Sequence, residues 1–284
     1  MKKIITLICL ALLLTGCATS GSGAISDPDT AIITVGDTTI TKGSVYNMMY
    51  ESYGASQIIA DTLEYISNQE IETTDAMYEE AQASITMQTL IYGDTFEELL
   101  IANGFASTDD YIERIIIPSL KVSALTEKYI EINFDSMQET YTPKKIQVMS
   151  FTDLETAEKA LSELASGTEF TQVATDNSST AASAETVYTV KSDYPIDVKV
   201  YIADATEDNQ LSDVIYDAEN GAYYIVLVTS ADVNSFKEEA IATIATLDDV
   251  EAQSFDYYLD LYEFSVYDET LYNQIKATYP DYLD

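Results

Sequence analysis

The spacing of apolar residues changes twice along this chain, and that change most limits the folds open to it. Residues 44 to 140, and the stretch from Ser235 to the C-terminus, place apolar side chains three or four positions apart, as amphipathic helices do. Between them, residues 144–151 and 220–230 are strand-like and enclose two helical segments. The sequence predicts an α+β protein in which a helical lobe, built from N- and C-terminal segments, brackets an inserted α+β domain.

Capping residues and helix breakers predict where individual helices begin and end. Thr95 and Glu98 have the spacing of a capping box, and Asn103-Gly104 predicts the end of that helix. Gly54 is expected to interrupt the first long helix, and Pro118 to kink or split a later one. A helix is expected from about Thr74 to Tyr92. It carries the apolar residues Met77, Ala81, Ile85 and, nearer its end, Leu90.

The N-terminus has the layout of an export signal. Two lysines precede an apolar run, Ile4 to Leu14, that is too short for a membrane span of roughly 20 residues. The run ends in LTGC, which resembles a bacterial lipobox, where the cysteine thiol receives a diacylglycerol and becomes the new N-terminus. We expect residues 1–16 to be removed, Cys17 to carry lipid, and residues 17–30 to form a flexible tether. The alternative is an ordinary secretory signal that happens to contain this cysteine.

Two residue types are scarce enough to exclude whole classes of chemistry. The chain has no histidine, which removes the usual general base and the commonest metal ligand. Its only other cysteine, Cys9, lies inside the predicted signal, so neither a disulfide nor a zinc–thiolate site can form in the mature chain. Ser-His-Asp and Cys-His hydrolysis are therefore excluded. The sequence predicts no cofactor and no metal.

The chain is strongly acidic, with 13 Lys and Arg against 49 Asp and Glu and a net charge of −36. Such a surface repels nucleic acid as well as anionic lipid and wall polymers. The composition, 46% hydrophobic with 22 tyrosines, favours a packed protein over disorder. The acidic surface serves either to keep the body away from the membrane or to attract basic partners.

Five segments carry a resemblance to one family, and they occur in the family's order. The segments are AIITVGDTTITKGSVYNMM, GDTFEELLIANGFASTDDYIERII, TAEKALSELASGTEFTQVATDNSS, GAYYIVLV and FSVYDETLYNQI. Together they resemble the PrsA-type foldase lipoproteins of Gram-positive bacteria, relatives of the periplasmic chaperone SurA. The resemblance implies a helical chaperone lobe at 31–142, a parvulin-like domain at 143–232, and C-terminal helices at 233–284 that complete the lobe.

The chain departs from the family at the residues that would isomerise prolyl bonds. By the resemblance, Val148 and Tyr224 occupy the positions of the two parvulin histidines. The family's glycine-rich stretch is replaced by ASAETVYTVKSDYP, and the residues that grip the proline ring have no counterpart between Tyr194 and Val200. We therefore expect prolyl isomerase activity to be weak or lost, and we assign no catalytic residue. The expected client-contact residues are Val148, Met149, Phe151 and Tyr224.

The resemblance implies an ATP-independent chaperone, lipid-anchored on the outer face of the cell membrane, that assists secreted proteins. Its partners would be unfolded or partly folded secreted proteins, and a homodimer is left open. Two alternatives remain at this point: an active peptidyl-prolyl isomerase, or a surface lipoprotein that serves as a binding module. The methionines could contact clients or simply fill the helical core. Those in question are Met48, Met49, Met77 and Met87.

Overall fold

The computed structural model describes residues 25–93, 95–179 and 184–283, which form two compact units. One unit combines the residues up to Thr126 with those from Ala252 onward, and the other extends from Glu127 to Glu251. The predicted α+β class is confirmed. The predicted signal and Cys17 lie outside the described residues. Within the described ranges, every helix is too short or too polar to cross a bilayer.

Helices account for most of the described chain. The helices are α1 (Lys42–Glu70), α2 (Asp75–Tyr92), α3 (Thr95–Ala102), α4 (Thr108–Tyr111), α5 (Ile117–Ile132), α6 (Phe134–Tyr141), α7 (Leu154–Ala165), α8 (Phe170–Asp176), α9 (Ile196–Asp204), α10 (Lys237–Ile244), α11 (Asp248–Leu261) and α12 (Glu269–Thr278). A π-helical turn covers Ile112–Ile116, and 3₁₀ turns cover Val233–Phe236 and Pro280–Tyr282.

The strands form one hairpin and one larger sheet. The strands are β1 (Ala31–Val35), β2 (Thr38–Thr41), β3 (Lys144–Phe151), β4 (Thr186–Tyr188), β5 (Gln210–Leu211), β6 (Ile215–Asp217) and β7 (Ala222–Ser230). In the first unit, β1 pairs antiparallel with β2. In the second unit the order is β4-β3-β7-β5, with β6 also paired to β7. Residues 210–211 and 215–217 thus supply two short strands that pair with β7.

The N- and C-terminal segments pack together in the first unit, so the predicted lobe of two distant segments is confirmed. Helix α1 is continuous through Gly54, and the predicted interruption there is wrong. A Cβ atom at that position would lie 2.9 Å from Leu271 Cδ2, so the missing side chain lets α12 approach α1 closely. Beside this contact lies a shared apolar core. That core contains Ala55, Ile59, Leu63, Phe255 and Ile275.

Helix α4 is capped at its N-terminus by Ser107. The Ser107 hydroxyl accepts a hydrogen bond from the Asp110 N–H at 3.1 Å, and the Asp110 carboxylate accepts one from the Ala106 N–H at 2.9 Å. This reciprocal pairing satisfies backbone donors that the first turn of a helix leaves free. The predicted capping box at Thr95 does not form. Thr95 is already helical, and its hydroxyl donates to the Tyr92 carbonyl at 2.6 Å.

The end of α3 and the region of Pro118 also follow the chemistry of their residues. Gly104 has a φ of +86°, and the next N–H, of Phe105, donates to the Leu100 carbonyl at 3.0 Å. This is the left-handed helix end that glycine permits. Pro118 lacks an N–H and cannot continue the normal ladder. The predicted disturbance takes the form of the π-helical turn immediately before it.

The sheet of the second unit is covered by helices on both faces. Helix α9 lies on one face and buries Val198 and Ile202 against the strands. Helices α7 and α8 lie on the other and bury Phe170 and Val173. The alternation of side chains along β3 and β7 supplies one apolar layer to each helix layer.

A second core in the same unit joins two helical stretches from either end of it. The buried side chains of α6 pack against those of α10 and the 3₁₀ turn before it. The core contains Ile130, Phe134, Met137, Tyr141, Val233, Phe236, Ala240, Ile241, Ile244 and Val250. Residues 127–142 and 233–251 thus share a core with each other. The domain boundaries expected near 142 and 232 stay a prediction.

Candidate functional site

The four expected client-contact residues lie on two adjacent strands but on opposite faces of the sheet. Val148 and Tyr224 face α9, whereas Met149 and Phe151 face α7 and α8. Val148, Met149 and Phe151 are almost completely buried, and Tyr224 is half-buried. Of the four, only Tyr224 is accessible while the sheet stays closed. Client contact at the other three stays a prediction, and it would require this domain to open.

Tyr224 lies in the centre of the sheet, opposite Ser150 on β3 and Ile215 on β6. Burial raises the pKa of its hydroxyl, and the charges of Asp217 and Asp193 raise it further. A raised pKa keeps the phenol protonated near neutral pH. The side chain can therefore donate one hydrogen bond at this face, but it cannot act as a general base there.

Asp217, the first of these acids, is held ionised by the turn that follows β6. Its carboxylate accepts hydrogen bonds from the Glu219 N–H at 3.0 Å and from Asn220 Nδ2 at 2.8 Å. The bond from the Asn220 side chain is the main cause of the lowered pKa of Asp217. The residue is buried and stays charged at neutral pH. The carboxylate of Asp217 therefore makes the electrostatic potential at the Tyr224 hydroxyl more negative.

Lys144, the first residue of β3, is engaged by the covering helix. Its ammonium donates to the Ile202 and Ala203 carbonyls at 2.6 and 2.9 Å, at the C-terminal end of α9. A cation there satisfies carbonyls that the last helical turn leaves free. Burial lowers the pKa of Lys144. This lysine anchors the C-terminal end of α9 on the sheet.

The loop after α8 meets the sheet through one serine. The Ser179 hydroxyl accepts a hydrogen bond from the Ser150 N–H at 3.0 Å, next to the Tyr224 position. Tyr188 and Tyr194 form an aromatic pair on the same face, with ring centroids 6.3 Å apart. Among the described residues, no group of acidic or cysteine side chains is arranged to hold a metal ion. This face is therefore aromatic and acidic, and its polar groups are mainly hydroxyls.

The first unit exposes many large apolar side chains on its surface. Met48, Met49 and Met87 are exposed, and only Met77 of the four methionines in question packs against a buried core. The β1–β2 hairpin is exposed along almost its whole length. Its exposed apolar side chains are Ile32, Ile33, Val35 and Ile40. Core filling therefore does not account for most of these methionines.

Five of these exposed side chains lie on α2 and α3, the two helices that are consecutive in the chain around residue 94. We call this group the apolar tip. It consists of Met87, Leu90, Ile91, Leu99 and Ile101, all exposed. The side chain of Leu90, near the end of α2, is 81% exposed. Leu90 lies nine positions after the buried Ala81, which places the two on opposite sides of the helix. The same periodicity, applied strictly, would have identified this surface.

The chain is similar in sequence to two curated foldases. The foldase protein PrsA of Streptococcus sanguinis is 29% identical over 219 residues, which cover 72% of this chain and 65% of that protein. The resemblance to the PrsA-type foldases is confirmed. The foldase protein PrsA of Lactococcus lactis is 22% identical over 220 residues, covering 75% of this chain and 67% of that protein. The matched region thus spans about two thirds of each PrsA protein.

Solved PrsA structures align over most of the chain. The foldase protein PrsA from Streptococcus pneumoniae aligns with a TM-score of 0.47 at 20% identity, covering 89% of this chain and 100% of that one. The peptidylprolyl isomerase (PrsA) from Bacillus cereus aligns with a TM-score of 0.46 at 17% identity, covering 88% and 98%. No protein-family model matches the chain.

Proposed function

We propose that this chain is an ATP-independent chaperone that assists the folding of secreted proteins outside the cell membrane. The observation that carries the proposal is the exposed apolar surface of the first unit, which includes the apolar tip. Large exposed apolar patches are uncommon on monomeric proteins and mark interaction sites. Methionine and tyrosine side chains suit unrelated partners, because flexible or amphipathic groups repack around different sequences. The similarity to PrsA foldases supports this reading.

The proposal includes a lipid anchor on Cys17 and a Gram-positive membrane as its site of attachment. The LTGC motif and the small, polar residues after it support the anchor. A tether of this kind would hold the chaperone where exported chains emerge, while the acidic body is repelled by anionic lipid. A homodimer remains compatible with the proposal.

Prolyl isomerisation is proposed to be weak or lost. The barrier of ~18–20 kcal/mol falls when an enzyme stabilises the twisted amide more strongly than the planar one. Burial raises the pKa of the Tyr224 phenol, which lies close enough to the ionised carboxylate of Asp217 for that charge to raise it further. No histidine is present to tune the site. An active isomerase is the second candidate, because Tyr224 is accessible on the face where catalysis would occur.

Two assays test these assignments. The purified chain should suppress aggregation of two unfolded proteins, reduced lysozyme and reduced α-lactalbumin, without ATP, and L90S should weaken that effect. The matched control is L261S, which removes a leucine that is 55% exposed on α11. A protease-coupled assay on a prolyl peptide measures isomerisation. If the chain does not suppress aggregation but isomerises the peptide rapidly, only the isomerase function remains. If it shows neither activity, the remaining function is that of a binding module.

A further inference from the structure

The C-terminal part of α2 has an unusual composition for this protein. Residues 81–93, AQASITMQTLIYG, contain no charged side chain, although 22% of the whole chain is charged. This is not a buried segment, because Met87, Leu90 and Ile91 are 55%, 81% and 61% exposed. The spacing of these three residues places them on one side of the helix. An uncharged, solvent-exposed surface of this kind is available to an apolar partner.

The buried side of the same helix shows that these residues are not needed for the core. Ala81 is fully buried, and Ile85 packs with it against Phe96 and Leu100 of α3. On α3, the exposed Leu99 and Ile101 flank the buried Leu100. Each helix thus buries one side in the core and exposes other apolar side chains to solvent.

Acidic side chains border the apolar tip at both ends. Glu79 and Glu80 precede the uncharged stretch, and Glu97 and Glu98 begin α3; all four are exposed. Glu80 is seven residues from Met87, which is about 10 Å along a helix and close to the Debye length of ~8 Å in physiological salt. These carboxylates therefore act on anything bound at the tip.

Cations do not balance these acids. Residues 25–126 contain 17 Asp and Glu but only Lys42, Arg114 and Lys121 as cations. Arg114 pairs with Asp110 at 3.1 Å and lies over the Phe105 ring. Lys121 is nearly buried and donates to Asn68, and Lys42 donates to the Ser26 carbonyl. Each of the three is engaged within the unit, so the potential around the tip is negative.

From these observations we infer that the apolar tip binds extended polypeptide segments in which apolar side chains are flanked by lysine or arginine. The apolar groups would cover the tip residues, and the cations would face Glu79, Glu80, Glu97 and Glu98. A second copy of the chain is the less favourable occupant, because a symmetric contact would bring identical acidic borders together. This inference rests on the proposed chaperone function and specifies its clients.

The test uses fluorescently labelled peptides with one apolar centre, Leu-Ile-Phe-Val, flanked by either two lysines or two glutamates on each side. Fluorescence anisotropy with the purified full chain should show at least about tenfold tighter binding of the lysine peptide, and the difference should shrink in 0.5 M salt. L90S/I91S should weaken binding of the lysine peptide by about tenfold, because apolar contact area is lost. Equal binding of both peptides would overturn the inference.

Charge variants distinguish an effect of the acidic residues beside the apolar tip from an effect of the net negative charge of the chain. E97Q/E98Q should weaken lysine-peptide binding by about threefold or more, as expected for two partly screened charge pairs. E155Q/E158Q changes the net charge equally, at exposed positions on α7, and should leave binding unchanged. If the control loses as much affinity as E97Q/E98Q, the tip is not the binding site. If the chain suppresses aggregation but binds both peptides equally, only the proposed client chemistry is refuted. If it suppresses the aggregation of neither unfolded protein, the proposed chaperone function is refuted.

Discussion

Gly54 lies directly against Leu271, and no side chain larger than hydrogen fits between α1 and α12 at that point without movement. The contact joins residues more than 200 positions apart. It also explains why a helix of 29 residues tolerates a glycine in its interior. Glycine costs such a helix roughly 0.5–1 kcal/mol relative to alanine, and close packing offsets that cost.

Replacing Gly54 with valine should destabilise the first unit by about 2 kcal/mol or more, because the added methyl groups would overlap Leu271 Cδ2. The measurement is urea unfolding followed by circular dichroism. Ala60→Val, at an exposed position on the same helix, controls for the lower helix propensity of valine. In the double variant G54V/L271A the losses should be less than additive. Equal effects of G54V and A60V would mean that the close contact does not stabilise the fold.

A tyrosine–carboxylate hydrogen bond also joins the N- and C-terminal segments, and it should make stability fall at alkaline pH. Tyr262 donates to Glu70 at 2.7 Å, and this bond is the main cause that raises the pKa of Tyr262 to about 12. Because the folded pKa lies above the unfolded value of ~10, the stabilisation is complete below about pH 10 and is lost as the pH rises toward 12.

Tyr262→Phe should therefore cost about 1 kcal/mol at neutral pH. It should also reduce the loss of stability between about pH 10 and about pH 12 in urea titrations. Tyr267→Phe is the matched control, because Tyr267 is 96% exposed. An alkaline transition of unchanged steepness in Y262F would show that the bond to Glu70 is not stabilising.

In the second unit, Asp249 should contribute stability that disappears in acid. Its Oδ2 accepts hydrogen bonds from Lys191 at 2.9 Å and from Tyr141 at 3.1 Å, and the Lys191 bond is the main cause of its lowered pKa. A folded pKa below the unfolded value of ~3.9 means that this stabilisation is present above that pH and is lost below it.

Asp249→Asn should destabilise the protein by about 0.5–1 kcal/mol at pH 7, since the ion pair is partly exposed, and by less near pH 3. The readout is the urea midpoint at several pH values. Glu155→Gln also removes a carboxylate from the first turn of a helix and serves as control. A deficit in D249N that does not change with pH would contradict the assigned role of the carboxylate.

Tyr224→Phe should leave the rate of prolyl isomerisation close to the uncatalysed rate, as in the unchanged chain. The phenol lies beside ionised Asp217 and cannot supply a strong electrostatic contribution. The protease-coupled assay over a range of protein concentrations measures this. A clear acceleration by the unchanged chain that falls about tenfold in Y224F, a loss of ~1.4 kcal/mol, would show a catalytic tyrosine instead.

Cys17→Ser should release the protein from the membrane fraction into the medium, because the hydroxyl cannot replace the thiol that receives lipid. Immunoblotting of membrane and culture fractions is sufficient. Cys9→Ser, inside the same predicted signal, should leave the protein membrane-bound. Membrane retention of C17S would contradict a lipid anchor at this residue.

The helix and strand periods of the chain were sufficient to predict much of its local structure. Strand β3 occupies the predicted residues, and Gly104 follows the end of α3 as predicted. Capping and periodicity depend on neighbours a few positions away, so sequence contains that information. The position of Thr95 inside its helix was not predictable in the same way, because the first helical residue can shift by one or two positions.

The sequence by itself excluded catalysis that depends on histidine, because a chain without histidine cannot supply an imidazole in any fold. It also determined the helical and strand segments and the acidic charge. Only the tertiary structure decided that Gly54 packs against Leu271 and that Val148 is buried while Tyr224 is accessible. These properties depend on which distant segments cover each side chain, and a local pattern contains no record of that.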